Sequence, residues 1–376
     1  MNAERLHAVV IALQKELRDH QTVKKMESLV NSLRAVVAAS NSSTQQALAS
    51  SRTDLYEALR SASSDKFSPM WKELVRQLGG DGLFGQELKT KIEEHFETNQ
   101  ITPAVALSEL EKELKALEAF SQALDDTAGA FGKFRIGSER LGPGQSEIGV
   151  LVPRQEVDNK LLEFAGELKE LGFIMNTFAE VATGRPDDLH IKGISSTELM
   201  IFLEASPTYA ACLAVAVERV VALYKQLLEI RKLHQQLNQQ GVPEEKTTGI
   251  TQHANSVMEE GITKASVEIV QKFYVGKDKA RKNELTTRIV IAMNKIANRI
   301  DHGFNFEVRV EPPTAGQLEA KDESLQKSVE MIQAASANMQ FLKLEGQPVL
   351  RLPEGERAAK AAAIPKNRDP QDNDSL

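Results

Sequence analysis

The chain has 376 residues, 46 basic and 53 acidic, and is 41% hydrophobic but only 5% aromatic, with one tryptophan. This composition belongs to folded globular chains, not to disordered, collagen-like or mucin-like ones, and the length favours two or three domains. The net charge of −7 argues against a whole-chain polyanion binder, and the single cysteine, Cys212, excludes an intramolecular disulfide framework and a cysteine-rich zinc site.

The first 130 residues read as helices. Leu6, Val9, Val10, Leu13 and Leu17, then Leu29, Leu33, Val36 and Val37, recur at steps of three and four, a stripe on one helix face. Glu4 and the run Gln14-Lys15-Glu16 interrupt the apolar residues, so no secretory core is present. Asn41-Ser42-Ser43-Thr44 marks a break before a second helix over 44–62. Ser68-Pro69 supplies a cap and first helical position for a short helix ending at Gly79-Gly80. Thr102-Pro103 repeats the device ahead of a helix over 103–128, with Val105, Leu110, Leu114, Leu117 and Leu124 as its apolar positions. The sequence predicts a helical bundle or coiled-coil module over 1–130, with a bundle preferred because the heptads are imperfect.

Glycines between 129 and 144 mark a change of grammar. Ile148, Val150 and Val152 alternate ahead of Pro153, and Leu189 and Ile191 lead through Ser195-Ser196-Thr197 to the run Leu199-Met200-Ile201-Phe202-Leu203. A five-residue apolar run suits a strand buried on both faces. Phe304, Phe306, Val308 and Val310 alternate with polar residues, the pattern of a half-buried edge strand ended by Pro312-Pro313. Helices are expected between the strands, over 157–181 and over 207–237. The second starts at Ser206-Pro207, ends at Gly241 and Pro243, and is apolar all round up to Val217, so other elements should sheathe it. The uncharged run over 199–217 is broken by Glu204 and Ser206-Pro207 and is no membrane span. A helix over 316–338, a hairpin around Glu345-Gly346 within 341–352, and a disordered tail over 353–376 complete the chain.

The order strand, helix, strand, strand, helix, further helices, strand is that of a split βαβ, ferredoxin-like module with a helical insertion before its last strand. The fold class expected is predominantly α with a small sheet, α+β. The helical module of 1–130 is followed by an α+β module over 131–352, whose third strand is central and whose last is an edge.

Chemical signatures are sparse. Gly80-Asp81-Gly82-Leu83-Phe84-Gly85 spells GxGxxG, but a helix precedes it where a dinucleotide site needs a strand. The seven histidines are scattered, and Asp187, Asp188 and His190 read as a solvated turn rather than metal ligands. His302 ends a helix, where the dipole accounts for it. Cys212 sits among apolar residues, as an inert buried thiol does. No common nucleophile or phosphate-loop motif is present, so no catalytic, cofactor or metal residue is assigned.

One local feature stands out. Residues 272–299 carry eight cations against two carboxylates, whereas 54–126 carry fifteen acids against eight bases. Lys272, Lys277, Lys279, Arg281, Lys282 and Arg288 gather at a helix start beside Phe273 and Tyr274, a composition that suits a phosphate or a nucleic-acid backbone with a stacked base. The leading expectation is a cytoplasmic, non-enzymatic interaction or regulatory subunit that binds a protein partner or itself. Polyanion or nucleic-acid binding through 272–299 is the alternative, and an unrecognised enzyme a third.

Overall fold

The computed structural model describes residues 3–139, 141–195, 199–314, 323–342 and 344–355. Most of the tail expected over 353–376, the turn at 196–197 and the start of the helix expected from 316 lie outside them. The chain divides into two compact units, Met1–Gly142 and Pro143–Leu376. It is mostly helical with one small antiparallel sheet, an α+β chain. Among the described residues no helix is long and apolar enough to cross a membrane.

The first unit holds α1 (Ala3–Asp19), α2 (Thr22–Ala38), α3 (Ser42–Arg60), α4 (Pro69–Gln77), α5 (Gly85–Thr98) and α6 (Pro103–Lys133). The apolar stripe of the first 37 residues is split between two helices by Gln21, a non-glycine residue in the left-handed region at φ 52°. Both halves run antiparallel to α6: Gln14 donates to Asp125, and Arg34 pairs with Glu111 at 2.6 Å. A helix of 31 residues is about 46 Å long, enough to back both partners at once. Val9, Leu13 and Leu17 of α1, and Met26, Leu29 and Leu33 of α2, are buried, as are Leu110, Leu117 and Leu124 of α6. At the break, the buried Glu16 carboxylate accepts from Ser63 Oγ, Ser64 N and Ser64 Oγ at 2.6–2.8 Å, which fixes the turn after α3. Asn41 and Thr44 form a reciprocal capping box at the start of α3, and Ser68 caps α4 ahead of Pro69.

The second unit holds β1 (Ser146–Leu151), α7 (Leu161–Thr183), β2 (Ile191–Ser195), β3 (Met200–Ala205), α8 (Pro207–Gln239), α9 (Glu244–Phe273), α10 (Lys279–Asp301), β4 (Asn305–Val310) and α11 (Glu323–Asn338). The strand order is β2-β3-β1-β4, with every neighbouring pair antiparallel. β3 is internal, as its apolar run requires, and the alternating β4 is an edge. In register, Ile148 faces Leu203 and Val308, and Val150 faces Ile201 and Phe306, so one sheet face is continuous apolar surface. α8 packs on this sheet against β1 and β4, and α11 against β4.

Helices α7 to α10 close a ring of contacts in chain order. His234 of α8 meets Thr247 of α9, and Leu223 lies against Gly261, so these two helices run antiparallel. Ser266 of α9 meets Met293 of α10, and Glu167 and Glu180 of α7 meet Arg299 and Arg288 of α10, so each neighbour in the ring is reversed. The first half of α8, from Tyr209 to Val217, sits in the core of this bundle almost wholly out of water. Among the described residues of 341–352 there is no strand, so the expected hairpin is not seen there. Residues 345–353 are instead an irregular strap, bent at Gly346-Gln347, pinned to the bundle by side chains of α8, α9 and α10.

Candidate functional site

The cations expected to form one patch fall into two groups. Arg281 and Arg288 both donate to the Glu180 carboxylate of α7, the second at 2.9 Å. Lower on α10, Lys295 pairs with Glu170 at 2.6 Å and Glu354 at 3.2 Å, and Arg299 with Glu167 at 3.0 Å. The hydrogen bond from Lys295 holds the Glu170 carboxyl below its usual range. These four cations are the interhelical ties between α10 and α7. Lys272, Lys277, Lys279 and Lys282 remain, at the end of α9, in the loop and on the first turn of α10. None holds an ion pair among the described residues.

Two parts of the expected site are already in use. Asp278 caps α10, accepting from Ala280 N at 2.8 Å and Arg281 N at 3.4 Å, so those amides are not open to a phosphate. Phe273 is buried in the core, where it cannot stack on a base, and the Tyr274 hydroxyl donates to the Asp278 carbonyl at 3.2 Å. What remains is a group of flexible ammonium ions, suited to a diffuse polyanion rather than to a shaped phosphate pocket.

At the opposite end of the bundle is a buried polar centre that the sequence did not signal. Asp301, fully buried at the end of α10, accepts from the Tyr224 hydroxyl and from Arg231 Nη1 at 2.6 Å through Oδ1. Its Oδ2 accepts from the Val349 and Leu350 N–H groups, both at 2.6 Å. Arg231 also donates to the carbonyls of Glu345 at 2.8 Å and Gly346 at 2.6 Å. Burial, with Asp301 alongside, pushes the Tyr224 hydroxyl far above its ordinary range, so it serves as a neutral donor. Beside this centre two clefts flank the strap. One of 450 Å³ is lined by His234, Thr251, Asn255 and Glu259, and one of 630 Å³ by His234, Asn238 and His302; Pro348 and Arg351 line both.

Cys212 is buried, and desolvation pushes its thiol up and so disfavours the thiolate. His302 follows the last turn of α10 with Nδ1 2.8 Å from a Glu156 oxygen. Among the described residues, no three His, Cys, Asp or Glu side chains gather where a metal could sit. The GxGxxG segment does open onto a helix, α5, but Asp65 accepts from Gln86 N at 3.0 Å and its carboxylate stands where an anion would. No family model matches the chain, and neither does any curated protein or solved structure.

Proposed function

We propose that the chain is a non-enzymatic interaction protein, a subunit or regulator that holds a protein partner or a second copy of itself. Leu161 and Leu162 carry this role: they are adjacent on the first turn of α7 and 79% and 83% exposed. Each would gain roughly 1.5–3 kcal/mol on full burial, which a partner surface can supply. In the helical unit, Ile101 in the turn ahead of α6 is 95% exposed and Val105 on the first turn of α6 is 47% exposed. We take the place of action to be the cytoplasm, where a lone free thiol is kept reduced. Light scattering across concentrations, with pull-downs from the native cell, tests the role. Leu161→Lys with Leu162→Lys should lose the partner or the self-association without changing the melting temperature. A strict monomer that retrieves no partner overturns it.

A second role is favoured by the four lysines that have no carboxylate partner among the described residues. They suit salt-sensitive binding of DNA, RNA or polyphosphate. Changing Lys277, Lys279 and Lys282 to Glu should abolish retention at low salt. Wild-type protein that retains no nucleic acid at low salt removes this role.

The Pro143–Leu376 unit we read as a split βαβ, ferredoxin-like module, on the order β2-β3-β1-β4 and the position of α7 between β1 and β2. On that reading α9 and α10 are the insertion and α11 is an addition against β4.

A further inference from the structure

The strap over 345–353 lies in a groove walled by α8, α9 and α10, and it is held as a bound peptide is held. Four consecutive N–H groups donate to side chains: Val349 and Leu350 to Asp301, Arg351 to Asn255 at 2.7 Å, and Leu352 to Asn298 at 3.0 Å. Five carbonyls accept from side chains: Glu345 and Gly346 from Arg231, Val349 from Asn255, Leu352 from Asn298, and Pro353 from Asn294. Among the described residues no backbone-to-backbone hydrogen bond reaches this segment. Asn255 and Asn298 each grip the strap with both amide atoms, which reads an extended backbone whatever its side chains. Val349, Leu350 and Leu352 are buried and supply the choice of sequence.

The fit is incomplete in two ways. Asn294 makes only half of the grip that Asn298 makes. Its Nδ2 donates to the Pro353 carbonyl at 2.8 Å, while its Oδ1 is buried with no donor among the described residues. Residue 353 is a proline and has no N–H to give. The strap also leaves clefts of 450 Å³ and 630 Å³ beside Pro348 and Arg351.

Building on the interaction role above, we propose that this groove recognises an extended peptide and that the chain's own 345–353 is a displaceable occupant. In exchange it takes a protein partner's segment with apolar residues at the Val349, Leu350 and Leu352 positions and a non-proline residue at the Pro353 position. The tether gives the resident strap an effective concentration in about the millimolar range, so it must be weakened before binding in trans can be read.

The full chain carrying Leu350→Asp is therefore titrated, by fluorescence anisotropy, with labelled peptides of residues 344–355, one native and one with Pro353→Ala. The variant should bind both, the Pro353→Ala peptide about fivefold tighter, as one added hydrogen bond gives. Adding Asn298→Ala should abolish binding. A folded Leu350→Asp chain that binds neither peptide, or that prefers the native one, overturns the groove.

Should Leu350→Asp fail to melt cooperatively, hydrogen exchange on the wild-type chain decides. Amides 349–352 opening more easily than those in the middle of α10 support a displaceable strap, and exchange only by global unfolding overturns it. The leucine test on α7 is independent. If Leu161→Lys with Leu162→Lys loses the partner while the peptides fail, the interaction role stands and the groove falls. If the peptides bind and no partner is retrieved, the groove stands alone.

Discussion

Asp301 joins α8, α10 and the strap through one carboxylate. It has no exposure, and its two oxygens serve Tyr224, Arg231 and two strap amides. Replacing it with Ala leaves a buried guanidinium without its counter-charge. Asp301→Ala should therefore cost about 3–5 kcal/mol in urea unfolding. A loss under 1 kcal/mol would mean that water reaches Arg231 after all. Glu170 makes a different statement, about pH. Its hydrogen bond from Lys295 lowers its folded pKa, so its contribution is present above the ordinary glutamate value of about 4.3 and is lost as pH falls through the folded value. Glu170→Gln should flatten that part of the acid limb of stability, read as melting temperature as pH is lowered below the ordinary glutamate value; an unchanged limb would assign the acid sensitivity elsewhere.

Among the elements, β1 shows how one small residue sets a sheet. On the face opposite the apolar one, Gly149 lies between Met200 and Glu307, and an added Cβ would come within 2.7 Å of both side chains. Both neighbours are buried, so neither can swing into solvent. Gly149→Val should destabilise by about 1–3 kcal/mol through overpacking, despite the better strand propensity of valine. A neutral or stabilising result by thermal melting would show that the two side chains rearrange freely.

Elements whose ends carry local chemistry were legible in the sequence. α8 has Ser206-Pro207 and Gly241, and β4 has strict alternation. The break at Gln21 was not legible, because glutamine is no marker of left-handed backbone. α5 was hidden behind a glycine cluster that reads as a stop. In the sequence the strap reads as a hairpin because Glu345-Gly346 looks like a turn. Its true partners, Arg231, Asn255, Asn298 and Asp301, lie 48 to 115 residues away, beyond the reach of any local pattern. The candidate site divided in the same way: the cations were visible in the composition, but their carboxylate partners on α7 were not.

Across the whole molecule, the net −7 conceals two kinds of positive charge with opposite roles. Arg281 and Arg288 share Glu180, which is 7% exposed, and so belong to the packing of α10 on α7. Lys277 and Lys279 are exposed and tie nothing among the described residues. Reversing charge at the two places must then give opposite outcomes. Arg288→Glu sets a carboxylate against the nearly buried Glu180 and should lower unfolding free energy by roughly 2 kcal/mol or more. Lys277→Glu with Lys279→Glu changes the net charge by twice as much, yet should stay within about 0.5 kcal/mol of wild type. Two chemical denaturation curves at low and high salt check the pair. If the lysine variant proved the less stable, the free lysines would be structural, and polyanion binding through them would lose its physical basis.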